Sequence, residues 1–331
     1  MREEDNAQWG LVHAFVLDGR GGARSITRQE LPDLSLCEQE SLWLHWDRGH
    51  PYTHTWLRTE SGLSEFACNL LLEENTRPRL LALPEQELLL FLRGLNLNPG
   101  AEPEDMVSVR IFADAQRAIS LRLRPLRATE ALIEDLLAGR GPKTSAELIL
   151  RLAHYLTDKV EWLIGDLSEQ IDEQEELADA EDSGTLDHAE LLQMRRRAAS
   201  LRRFLAPQRD IYGQLTASNQ AWFAGTDSSY WNELNNRLTR YLEELELSRE
   251  RVSLLLEAEN RGMDERMNRT MYRFGIITGI FLPMSFITGL LGINVGGIPG
   301  SESPHGFLLA CSLMAAVAVG QWLLFRRLRW I

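Results

Sequence analysis

Cysteine is scarce, and what there is has no pattern. Cys37, Cys68 and Cys311 show no CxxC spacing, and Cys311 lies inside an apolar run. A disulfide framework and a cysteine-rich zinc finger are therefore excluded. Positive charge is short as well: 35 Lys and Arg against 48 Asp and Glu leave a net charge of −13. A nucleic-acid binder needs a basic surface to neutralise phosphates, so nucleic acid is not expected as a partner. There is no P-loop, GxSxG or HExxH, and an enzyme reading has no motif to rest on. The opening Met1-Arg-Glu-Glu-Asp lacks the basic and apolar regions of a secretory signal, so the N-terminal part is expected in the cytoplasm.

The averages, 44% hydrophobic and 25% charged over 331 residues, describe an ordinary soluble chain of about two domains. They conceal the last quarter. Phe274 to Ile293 runs for twenty residues without a charge, and Gly306 to Phe325 does so again. An α-helix rises about 1.5 Å per residue, so about twenty residues cross a hydrocarbon core of roughly 30 Å. A core helix of that length normally keeps a charged face; neither run does, and both are expected to span a bilayer. Arg266, Arg269 and Arg273 precede the first run, Arg326, Arg327 and Arg329 follow the second, and the 294–305 connection has no Lys or Arg. Positive charge stays inside, which puts both termini in the cytoplasm and the connection outside. From Arg266 onward six arginines face one acid, Glu302, a balance of +5, so residues 1–265 carry −18.

Before the membrane, residues 1–125 mix strand and helix signals. Leu11–Val16, Leu42–Trp46, Leu88–Leu92 and Val107–Phe112 read as strands, with Ala118–Leu123 returning through the Asp114-Ala-Gln turn. From about Thr129 helix formers dominate. Thr144 to about Asp182 reads as one long helix, Leu186 to about Ser218 as its antiparallel partner, and the segment from Ser229 as a third. In that third helix Leu234, Leu238, Tyr241, Leu245, Val252 and Leu255 alternate by three and four, missing one slot at Ser248. This is a coiled-coil-like seam, and a long stalk passing straight into a bilayer suggests a bundle of identical stalks. No proline interrupts the segment before Pro283, so one helix of about 95 Å is expected from 229 to 292. The acidic stretch Asp166–Asp182 holds nine carboxylates in seventeen residues, either a solvated helix tip or a rim that attracts cations.

Positions 271, 275, 278, 282, 285 and 289 of the first run give Met, Gly, Thr, Leu, Ser and Gly, with Asn268 beginning the same stripe. Two explanations fit. Small and hydroxyl residues let membrane helices pack closely. The same stripe, in a ring of subunits, would line a water-filled path with Met271 and Leu282 as dewetting constrictions. Gly292-Ile293-Asn294 closes the run, and a ring of Asn294 amides would offer neutral oxygens to a hydrated divalent ion, which favours the path.

Gly-Ile-Asn at the outer end of the first of two C-terminal membrane helices resembles the Gly-Met-Asn signature of the CorA family of divalent-cation channels. The continuation Asn294-Val-Gly-Gly-Ile-Pro-Gly300 is similar to the zinc-transporting ZntB branch of that family, as are His50-Pro51, Thr76-Arg-Pro-Arg79, Ala206-Pro-Gln-Arg-Asp210 and Phe281-Leu-Pro-Met-Ser-Phe286. The resemblance covers essentially the whole chain. It implies a funnel-shaped homopentamer in a bacterial inner membrane, with the long helix lining the pore and the second helix outside it. The expected entrance filter is Gly292, Ile293 and Asn294, with Asn294 meeting the hydrated cation. The expected pore wall is Gly289, Ser285, Leu282, Thr278, Phe274 or Gly275, Met271 and Asn268. The cargo would be Zn2+, with Cd2+, Ni2+ and Co2+ as further candidates, and no cofactor is implied. Ile293 in place of Met puts magnesium selectivity in doubt, and proton coupling is left open.

The expected architecture is an α+β cytoplasmic part, with a small α/β sheet domain over 1–127 and long antiparallel helices over 128–228. A stalk helix over 229–293 continues into the first membrane helix at 274–293. An outer loop over 294–305, a second membrane helix over 306–325 and a basic tail over 326–331 complete it. Elsewhere, His45, Asp47, His50 and His54 form the densest cluster of possible zinc ligands. A cytoplasmic metal site there competes with strand-end packing and surface histidines. Two further functions stay open: a magnesium/cobalt channel, and a membrane-anchored scaffold or signalling oligomer.

Overall fold

The computed structural model describes residues 6–180, 186–218, 220–223, 228–293 and 303–328. The chain divides into two compact units, Met1–Leu256 and Glu257–Ile331.

The first unit is built on a seven-stranded sheet of β1 (Leu11–Leu17), β2 (Ala23–Ser25), β3 (Ser41–Asp47), β4 (Arg79–Ala82), β5 (Leu88–Gly94), β6 (Val107–Ala113) and β7 (Arg117–Arg122). Their spatial order is β2-β1-β3-β7-β6-β5-β4. Among the described residues only β3 and β7 pair in parallel. The Asp114 turn joins β6 to β7, with the Asp114 carboxylate accepting from Gln116 N and Arg117 N, each at 2.9 Å. All five expected strands are present. β2 and β4, at the two edges, are the additions.

Both faces of the sheet are covered, and the period of two along each strand sorts its side chains between two cores. Leu88, Leu90 and Leu92 of β5 face the long helices, whereas Leu89 and Phe91 face the short helices α1 (Pro51–Thr59) and α2 (Glu65–Leu72). Burying each such side chain contributes about 1.5–3 kcal/mol. The last residue of β5 is Gly94, where a Cβ would stand 2.4 Å from Leu156 Cδ2, so the close approach of α4 requires glycine.

α3 (Arg127–Leu137) leads to α4 (Ser145–Asp179), α5 (His188–Thr216) and α6 (Ser228–Leu291). Caps set the starts of α4 and α5. Thr144 Oγ1 accepts from Glu147 N at 3.2 Å, and Asp187 Oδ1 accepts from Ala189 N at 2.9 Å. The α6 seam is buried at Leu234, Leu238, Tyr241, Leu245, Ser248, Val252 and Leu255. It is buried within a single chain: α4 and α5 carry apolar stripes of their own, and Leu156, Val160, Leu163 and Leu201 join it in one core, so this part of the seam packs on α4 and α5. Arg237 to Asp158 at 3.2 Å and Arg251 Nε to Glu175 at 2.7 Å set α4 and α6 parallel.

Candidate functional site

The second unit contains the end of α6 and α7 (Gly306–Arg327), and both helices are long and apolar enough to cross a membrane. Their contact starts from a backbone problem. Pro283 lies inside α6 and has no N–H to give the carbonyl four residues back, that of Gly279. In hydrocarbon an unsatisfied carbonyl costs several kcal/mol. Gln321 Nε2 of α7 donates to Gly279 O at 3.0 Å. Phe325, the buried residue of α7, lies over the same glycine, where an added Cβ would stand 2.9 Å from its ring. Within the apolar run of α6 the partly covered residues are Ile276, Gly279, Ile280, Pro283, Met284 and Ile287, which form one face.

Asn268, Met271, Gly275, Thr278, Leu282, Ser285 and Gly289 are all exposed, as is Phe274 at the margin of their stripe. At about 100° per residue the centre of this stripe lies roughly 150° from the face covered by α7. The second helix thus leaves the stripe bare over the whole of the first run. At its outer end Gly292 N donates to Thr288 O at 2.9 Å and to Gly289 O at 3.2 Å, which closes the helix, and Ile293 follows exposed. Asn294, the third residue of the expected filter, lies outside the described residues. What sequence reasoning missed is Gln321. The available signal was a proline inside one apolar run and a lone amide in the other.

The four zinc ligands expected in the first unit, His45, Asp47, His50 and His54, are not gathered into a donor set. Among the described residues no group of three His, Cys, Asp or Glu side chains could hold a metal ion. His45 is fully buried on β3, its Nδ1 2.7 Å from Ser120 Oγ. Asp47 ends the strand and accepts from Gly49 N at 2.7 Å. His50 is the N-cap of α1, accepting from Tyr52 N at 3.2 Å, and His54 on that helix bonds Arg48 O at 2.8 Å. Strand alternation, a turn and a cap send the four side chains to separate local tasks. Burial, with the charge of Arg122, holds His45 well below the usual histidine range.

The acidic stretch is partly neutralised. Asp166 pairs with Arg197 at 3.1 Å, while Asp172 and Glu175 pair with Arg251. The hydrogen bond from Arg251 holds the Glu175 carboxyl below its ordinary value.

Comparison with known proteins follows the same lines. The family described as CorA-like Mg2+ transporter protein matches residues 38–327. The divalent cation transporter CmaX of Pseudomonas aeruginosa is 62% identical over 328 residues, 99% of each chain. The zinc transport protein ZntB of Pectobacterium carotovorum is 34% identical over 322 residues, 97% of this chain and 96% of its own. The solved structure of full-length CmaX matches with a TM-score of 0.86 at 63% identity, over 97% of this chain and 98% of its own.

Proposed function

The chain belongs to the CorA-like family of divalent-cation transporters, and from that premise we propose that it carries zinc across a bacterial inner membrane along the axis of a homopentamer. It is a transporter, not an enzyme, and its cargo is a divalent cation. The observation that carries the finer reading is the bare α6 stripe opposite the α7-covered face. A single helix encloses nothing. Copies of it must turn their stripes toward a common axis, or leave Thr278 and Ser285 facing lipid.

The chemistry of the path is that of a hydrated ion. Asn294 offers neutral amide oxygens at the outer mouth, able to hold the water shell of a divalent cation without stripping it. Ser285 and Thr278 continue with hydroxyls, and Gly289 and Gly275 give width. Leu282 and Met271 are the apolar rings that empty of water when the path is shut. Support for zinc comes from the Gly-Ile-Asn filter and from the ZntB relatives. Both termini are cytoplasmic in this reading, with 294–305 outside and 326–331 as a basic inner tail.

Uptake into proteoliposomes loaded with a metal-sensing dye tests it, comparing zinc with magnesium, with and without a pH gradient. Zinc flux exceeding magnesium flux is expected, and loss of that flux in Asn294→Ala with unchanged assembly. Magnesium flux driven by voltage alone would replace zinc with magnesium as cargo. Normal zinc transport by Asn294→Ala would remove the filter assignment, and no flux of either metal would favour a scaffold.

A further inference from the structure

Away from the membrane, the first unit holds a concave site whose charge is out of balance. Arg48, Arg93, Arg110 and Arg124 line one cavity of about 200 Å3, together with Glu74, Asp105 and Ser108. The strand register explains the convergence. Arg110 of β6 stands opposite Phe91 of β5, and Arg93 stands opposite Ser108, so both arginines leave the sheet on one face. Arg48 follows β3 and Arg124 follows β7, the neighbouring strands.

Among the described residues none of these four guanidiniums has a carboxylate within ion-pair distance; Glu73, the nearby acid that does pair, is taken by Arg79. Three are held by backbone carbonyls instead. Arg110, only 3% exposed, donates to Leu71 O at 2.6 Å and Glu74 O at 3.2 Å. Arg48 donates to Leu72 O at 3.1 Å, and Arg93 to Met106 O at 2.6 Å. Arg93 Nε is buried with no acceptor. Arg124 is exposed at the rim and makes no bond.

Buried charge is normally paired, because desolvation is costly. Carbonyl oxygens hold the loop 71–76 in place but supply no counter-charge. Burial, and the neighbouring charges of Arg48 and Arg93, push Arg110 down to about 10, so the cluster already repels itself.

We propose that this cavity is an oxyanion site that binds a phosphate group, with Arg93, Arg110 and Arg48 at its base and Arg124 closing over it. Planar guanidiniums match the oxygens of phosphate in pairs. The volume, equal to several waters, admits one phosphate group but not a nucleoside, so a larger phosphorylated ligand would enter by its terminal phosphate. The proposal is independent of the transport reading.

Calorimetric titration of the purified full-length protein in metal-free buffer tests it, with inorganic phosphate and ATP as separate probes against chloride at matched ionic strength. Saturable binding of phosphate is expected, about tenfold weaker in Arg124→Gln and in Arg48→Gln. Arg124→Gln should unfold at the wild-type temperature in chloride, since its side chain holds nothing in place. Binding of ATP alone would assign the site to a phosphorylated ligand in place of free phosphate. Absence of saturable binding by both probes, or equal affinity in the variants, overturns the site and leaves the arginines as a clamp on the 71–76 loop. A linear stabilisation shared by all variants is the general exclusion effect of the anion and overturns it too.

Discussion

Gln321 Nε2 donates at 3.0 Å to the carbonyl oxygen of Gly279, the acceptor that Pro283 leaves without its helical N–H. One side chain of the second membrane helix thereby completes the backbone of the first. Two requirements meet at this point: an amide long enough to reach the carbonyl, and a glycine that lets the helices approach. Gln321→Leu keeps the apolar bulk and removes the donor. It should lower stability in detergent by about 0.6–2 kcal/mol, the range for interhelical hydrogen bonds in membranes. Gly279→Leu drives a side chain into Phe325 and should cost more, separating the two helices. Thermal unfolding with size-exclusion chromatography checks both. Equal stability of Gln321→Leu and the parent would mean that the Gly279 carbonyl finds another donor.

The stripe yields a second prediction, on flux rather than stability. Leu282 lies on the bare face of α6, and it is 65% exposed. If it forms an apolar ring, Leu282→Ser wets that ring and should raise basal divalent-cation flux severalfold. Ile277→Ser, in the same run but off the stripe, should leave flux near the parent level while lowering stability. A reversal of the two effects in proteoliposome uptake would move the path to another face of α6.

Much of this was legible because local rules govern it. Runs of strand-forming apolar residues marked β1, β3, β5, β6 and β7, and the dominance of helix formers from about Thr129 marked α4 and α5. β2 and β4 escaped because strands of three and four residues at a sheet edge carry too little pattern. The α6 seam was legible as a seam, but its partner was not. A three-four alternation says that a face is buried and is silent on whether the cover is another chain or α4 and α5. The arginine cavity was invisible for the same reason, since Arg48, Arg93, Arg110 and Arg124 meet only through sheet register. The histidine cluster failed in the opposite way: closeness in sequence over 45–54 placed the residues on a strand, a turn and a helix that point apart.

Ser248 occupies the slot that breaks the α6 seam. It is 1% exposed, and its hydroxyl has no hydrogen-bond partner among the described residues. A buried hydroxyl without a partner costs about 1–3 kcal/mol of desolvation, whereas a methyl in its place keeps the packing. Ser248→Ala is therefore expected to stabilise the first unit by about 1 kcal/mol. Chemical denaturation followed by tryptophan fluorescence measures it, Trp231 being buried in the same core. A loss of stability would reveal that the hydroxyl is satisfied in the assembled protein.

His45 makes the fold sensitive to acid. It is buried beside His13, ring centroids 6.1 Å apart, and its neutral form is the one the core accepts. In the unfolded chain the same imidazole titrates near 6.5, so below that pH the unfolded state binds the extra proton and the folded state does not. Its stabilising contribution is complete above pH 6.5 and declines as pH falls, by up to about 1.4 kcal/mol per pH unit until the folded value is reached. His154 is displaced in the same direction by its own burial, so it adds to the slope. His45→Gln removes one titrating group while keeping an acceptor near Ser120. Its denaturation midpoint between pH 8 and pH 5 should fall less steeply than that of the parent, even if it starts lower. Parallel curves would mean that His45 takes up its proton equally in the folded and unfolded states over that range. Added zinc should shift neither curve through this residue, because its Nδ1 already meets Ser120 and no second and third ligand stand with it.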